Sequence, residues 1–71
     1  MDWQVKLTKF LIEGGTVGRR QSALIAKVAN AAGDGEVVAF LKLLAQDRKA
    51  QLYVLPGQIK VWRATKEIEK L

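Results

Sequence analysis

The chain has few of the side chains that carry enzymatic chemistry. Its 71 residues include no Cys and no His, which removes thiol and imidazole nucleophiles, disulfides and the ordinary zinc frameworks. Ser22 is the one serine, and it falls within a helix-forming stretch with no recognisable base. The seven Asp and Glu show no metal-ligand spacing, and Gly14-Gly15-Thr16-Val17-Gly18 lacks the Lys and Ser/Thr that complete a phosphate loop. The expectation is a protein that is not an enzyme and needs neither cofactor nor metal.

The chemistry that remains is electrostatic. Twelve Lys and Arg against seven Asp and Glu give a net charge of +5. The excess is not spread evenly. From Gly14 to Gly33 the only charges are Arg19, Arg20 and Lys27, and from Arg48 to Lys66 they are Arg48, Lys49, Lys60, Arg63 and Lys66. The other segments are neutral or net acidic. Two acid-free basic stretches of this kind attract phosphate backbones and displace their counterions. A basic protein with no such partner is the plain alternative.

The elements that position these charges follow from periodicity. Asp2 is a helix cap, and Trp3, Leu7, Phe10 and Leu11 then repeat at helical spacing until Gly14-Gly15. A second helix is expected to begin between Thr16 and Arg19 and run to about Ala32, burying Leu24, Val28 and Ala31. Arg19, Arg20, Ala23, Lys27 and Asn30 would share a neighbouring side. A third, capped by Asp34 and reaching about Lys49, would place Val37, Phe40, Leu41, Leu43 and Leu44 inward. Val38, Ala39, Lys42, Ala45, Gln46 and Lys49 would face outward.

After Lys49 the period changes to that of a strand. Gln51 to Leu55 and Gln58 to Arg63 flank Pro56-Gly57, which reads as a β-hairpin. A type II turn suits Pro-Gly but matches hairpin twist poorly, leaving a longer loop open. With a two-residue loop, Leu52 would oppose Val61 and Val54 would oppose Ile59, all four on the buried side. Tyr53, Lys60 and Trp62 would lie on the other side. Cross-strand packing is the commoner role for such an aromatic pair, and stacking on bases the alternative. A turn or two of helix can follow Thr65, with Ile68 and Leu71 as its apolar pair.

Three helices followed by a hairpin, with Phe40-Leu41 and Leu43-Leu44 leading through Arg48-Lys49-Ala50 into Leu52-Tyr53, resemble the winged helix-turn-helix superfamily. The resemblance implies an α+β fold, mostly α, with residues 1–65 as the winged helix domain and 66–71 as a tail or short terminal helix. It implies duplex DNA binding, with the third helix in the major groove and the wing and the start of the second helix on phosphates. Ala39, Lys42, Gln46 and Lys49 would then face base edges or nearby phosphates. Arg19, Arg20, Lys60 and Arg63 would hold phosphates, and Lys27 and Gln58 would also belong to the DNA-binding surface. The Z-DNA-reading members place Asn and Tyr on the third helix, where this chain has Val38 and Lys42, and that subclass does not fit. With no Arg on the third helix before Arg48, shape reading or modest specificity is expected.

A small transcription regulator or a replication or plasmid-maintenance factor is the role implied. The alternatives are a winged helix that docks a protein, and an RNA or single-strand binder. A homodimer built through the tail is a further expectation. Met1-Asp2-Trp3-Gln4 lacks a signal-peptide pattern and the apolar run Val37 to Leu41 is too short to span a bilayer, so no membrane partner is expected. The expected location is the cytoplasm or nucleoid.

Overall fold

Helix α1 (Trp3–Glu13) starts where Asp2 Oδ1 accepts the Gln4 backbone N–H at 3.1 Å. Leu7 and Leu11, one turn apart, are fully buried, and Trp3 and Phe10 flank them. This computed structural model describes residues 2–70, and their side chains through Ile68. After α1 the chain turns through Gly14 to Gly18 and forms a two-residue strand, β1 (Arg19–Arg20), before α2 (Gln21–Lys27). The second helix therefore begins later than its alanine-rich pattern suggests, because Arg19 and Arg20 are held in a sheet. Nothing in the propensity of two arginines signals a strand. Pairing makes it.

Helix α2 also ends early. Val28 leaves helical geometry and a turn spans residues 28–32, closed by the Ala31 and Ala32 N–H groups donating to the Val28 carbonyl at 2.9 Å. The turn buries Ala32 rather than Ala31. Helix α3 (Asp34–Gln46) is capped by Gly33, one residue before Asp34, and the Gly33 N–H donates to Glu36 Oε1 at 3.2 Å. Val37, Leu41 and Leu44 form its buried stripe, while Trp3 meets Phe40 edge-on with ring centroids 5.5 Å apart. Leu43, expected inside, is 57% exposed. On a helix with 3.6 residues per turn it falls roughly 120° from Val37, outside that stripe. Val38 and Ala45, expected outside, are half-buried.

The third helix stops at Gln46 because Arg48 adopts the left-handed conformation, with φ of 62°. Arg48 N–H donates to the Ala45 carbonyl and Lys49 N–H to the Leu44 carbonyl, the bonding of a Schellman motif. Glycine usually occupies that position, so its absence hid the stop. Thr65 holds the turn from the other side: its hydroxyl donates to the Arg48 carbonyl at 2.6 Å and its N–H to the Lys49 carbonyl at 2.9 Å.

Strands β2 (Ala50–Leu55) and β3 (Ile59–Ala64) form the hairpin, and β1 pairs with β3, giving a three-stranded antiparallel sheet in the order β1-β3-β2. The register sets Leu52 opposite Trp62, Tyr53 opposite Val61 and Val54 opposite Lys60. It differs by one residue from the two-residue-loop expectation. The loop holds Pro56, Gly57 and Gln58, with φ of 84° at Gly57 and 60° at Gln58. A shift of one residue moves a partner to the other face. Trp62 thus points to the helices with Ala50 and Ala64, whereas Val61 lies on the other face, where it is still buried as expected, at 8% exposure.

Trp62 is 2% exposed and its indole N–H donates to Gln21 Oε1 at 3.1 Å, binding the sheet to α2. Leu52 and Val54, expected to be buried, are 43% and 62% exposed because the hairpin extends past the helices. A 3-10 helix (Lys66–Lys70) closes the described chain and buries Ile68 in the core. Leu71, its expected partner, lies outside the described residues. Among the described residues, no helix is long and apolar enough to cross a membrane.

Candidate nucleic-acid interface

The pleat of β1 separates two adjacent arginines. Arg19 opposes Trp62 and Arg20 opposes Val61, so their side chains leave on opposite faces of the sheet. Arg19 turns toward α1. Its Nε donates to the Phe10 carbonyl at 3.1 Å, and its guanidinium carbon lies 4.1 Å from the Phe10 ring centroid. The Lys27 ammonium sits 4.9 Å from the same centroid. Two cations of the first basic stretch are therefore engaged by one aromatic ring.

Arg20 is exposed and does what Arg19 does not. With Gln21 and Ser22 it forms one wall of a groove of about 350 Å³. The other wall is the hairpin tip, Gln58, Ile59 and Lys60. Arg20 and Lys60, one from each basic stretch, thus border one concavity with no carboxylate in its lining, although the pleat sets Arg20 on the Val61 face of the sheet and Lys60 on the Trp62 face. Gly18 makes the approach of β1 to β3 feasible. Its φ is 80°, and a Cβ there would stand 2.6 Å from the Trp62 carbonyl oxygen.

Arg63 lies elsewhere. It belongs to the outer face with Tyr53, its guanidinium carbon 5.2 Å from the Tyr53 ring centroid. Its Nε is buried without a hydrogen-bond partner among the described residues. With Arg20, Val17, Gly18, Tyr53, Leu55 and Val61 it lines a separate apolar cleft of about 360 Å³. Tyr53, 38% exposed, donates its hydroxyl to Gln51 Oε1 at 2.6 Å.

On α3, Ala39, Lys42 and Gln46 are all exposed, with Lys42 and Gln46 one turn apart. Leu43 shares this side of the helix. Lys49 follows the helix end rather than sitting on it. Its ammonium is 3.8 Å from Asp47 Oδ2, and only 23% of its side chain is exposed. Lys49 is accordingly the least available of the cations expected on this face.

The structure therefore gathers Arg20, Gln58 and Lys60 into one groove, leaves Ala39, Lys42 and Gln46 open on α3, and diverts Arg19, Lys27 and Arg63 to aromatic rings. Gln21 and Ser22 were not anticipated as groove residues. Their position directly after Arg20 was a usable signal, since the first turn of α2 presents whatever polar side chains it carries beside that arginine. Among the described residues no cluster of Asp and Glu could hold a metal ion. Comparison with protein-family models, with curated proteins and with solved structures finds no match.

Proposed function

We propose that the chain is a winged helix-turn-helix domain that binds duplex DNA, with Arg20 and Lys60 on phosphates and the open side of α3 in the major groove. Support for the fold reading comes from the order of elements. A short strand between the first two helices pairs with the last strand, and a hairpin follows the third helix. In such a domain α2, the turn through residues 28–33 and α3 are the helix-turn-helix, and the hairpin is the wing. The observation that carries the functional reading is the acid-free groove between the start of α2 and the hairpin tip, whose lining includes Arg20 and Lys60 from separate basic stretches.

On α3, Gln46 offers the donor and acceptor that adenine matches, Lys42 suits guanine, and Leu43 can meet a thymine methyl group. One bidentate contact of this kind discriminates by ~1–3 kcal/mol, so specificity is modest and the phosphate contacts supply most of the affinity. A protein partner is the second reading, favoured by Leu43, whose 57% exposure puts an apolar side chain in the middle of that surface. Stacking on single-stranded bases would have to rely on Tyr53, since Trp62 is 2% exposed.

Fluorescence anisotropy with labelled duplex DNA, single-stranded DNA and RNA at several salt concentrations tests the proposal. Duplex binding that weakens log-linearly with salt, and exceeds binding to the single strands, is expected. No duplex binding at low salt would end the DNA reading and promote the protein-partner one.

A further inference from the structure

The free edge of the sheet is chemically unlike the rest of the surface. Strand β2 is outermost in the order β1-β3-β2, so one side of its backbone has no neighbouring strand. From Ala50 to Ile59 there is no charged residue, the longest uncharged run in a sequence that is 27% charged. Leu52, Tyr53, Val54 and Leu55 are 43%, 38%, 62% and 45% exposed and alternate onto both faces. Sheet edges are usually protected from other strands by Lys, Pro, a bulge or short length. None of these interrupts β2. The phosphate contacts assigned to Arg20 and Lys60 leave Leu52, Val54 and Leu55 without a role, and Tyr53 between them engaged only by Gln51 and Arg63 of its own sheet.

We propose that β2 pairs antiparallel with β2 of a second copy of this chain, across a two-fold axis perpendicular to the sheet at Tyr53. The two three-stranded sheets then become one of six. Charge identifies the occupant. An acidic partner strand would find no counter-charge in β2, whereas self-pairing sets no like charges directly opposite one another. A two-fold contact also closes on itself, so both edges are covered at once and no fibre propagates.

The axis fixes the register. Opposed residues share a face, so Leu52 meets Val54 of the second copy, Gln51 meets its Leu55, and Tyr53 meets its own counterpart. Centring on Val54 would bring Pro56, which has no N–H, opposite Leu52. Centring on Leu52 would leave Leu55 outside the ladder. An edge contact of this length belongs to the small class of specific interfaces, with dissociation at roughly micromolar concentrations or above.

The native chain has no Cys, so a single introduced thiol reports the pairing directly. Opposed Cα atoms at a two-fold lie ~4.5–5.5 Å apart, within disulfide range. Under mild oxidation without DNA, Tyr53→Cys should cross-link to a covalent dimer at least about tenfold faster than Leu55→Cys, whose thiols would not face each other. Sedimentation of the native chain should show a concentration-dependent dimer that strengthens with salt, as repulsion between two basic chains is screened. Val54→Lys, at an already exposed position, should be monomeric with unchanged circular dichroism. A native chain that stays monomeric up to ~1 mM overturns the proposal. So does a dimer indifferent to Val54→Lys, or cross-linking at Leu55 as fast as at Tyr53. These outcomes are read without DNA, so they stand or fall separately from the DNA reading.

Discussion

Arg19 and Arg20 are consecutive residues of one type, yet they belong to different parts of the molecule. Arg19 is spent on α1, donating to the Phe10 carbonyl and lying over its ring beside Lys27. Arg20 is exposed and opens onto the groove it shares with Lys60. The pleat of a two-residue strand makes the difference. The net charge of +5 therefore overstates what is available to a phosphate: Arg19, Lys27 and Arg63 lie over aromatic rings and Lys49 pairs with Asp47, while Arg20 and Lys60 stay exposed.

The largest expected effect comes from removing what aligns the two regions. Trp62 is 2% exposed, stands opposite Arg19 in the sheet and bonds to Gln21 in the helix that follows Arg20. Trp62→Ala should cost ~3–5 kcal/mol in urea denaturation, enough to leave a domain of this size largely unfolded. Gly18→Ala attacks the same join more narrowly. Its Cβ would meet the Trp62 carbonyl at 2.6 Å with φ at 80°, so thermal denaturation should show a loss of about 2 kcal/mol.

Arg19→Ala sharpens the comparison. It removes one charged hydrogen bond and one cation–π contact, and should cost ~1.5–3 kcal/mol in chemical denaturation. Arg20→Ala should change stability by no more than about 0.5 kcal/mol in the same assay. Equal losses would mean that the two arginines are not divided as the sheet divides them. A change of opposite sign is expected at Arg48, whose φ of 62° is one that glycine adopts without penalty. Arg48→Gly should raise stability by about 0.5–1 kcal/mol, seen as a higher denaturation midpoint.

Much of the helical part was legible in the sequence, because Trp3, Leu7, Leu11 and the stripe Val37, Leu41, Leu44 repeat at a spacing only a helix buries on one side. The hairpin was legible from Pro56-Gly57 and its β-branched flanks. Its register was not, since a positive φ at Gln58 adds a loop residue that no glycine announces. Strand β1 was hidden for a different reason: it exists through pairing with β3, and no local preference of Arg-Arg encodes it. The groove inherits both effects. Gln58 and Lys60 were recognisable from their place at the hairpin tip, but the choice of Arg20 over Arg19 required the strand that the sequence does not display.

The most direct measurement is the salt dependence of duplex binding for the native chain and for Arg20→Ala, Lys60→Ala and Arg19→Ala. A phosphate contact contributes about 0.9 to the slope of log affinity against log salt concentration. Arg20→Ala and Lys60→Ala should each flatten the slope by about that amount, while Arg19→Ala, measured where it remains folded, should leave the slope unchanged. Slopes that stay the same in the Arg20 and Lys60 variants, or fall equally for Arg19, would contradict a phosphate-binding groove between α2 and the hairpin.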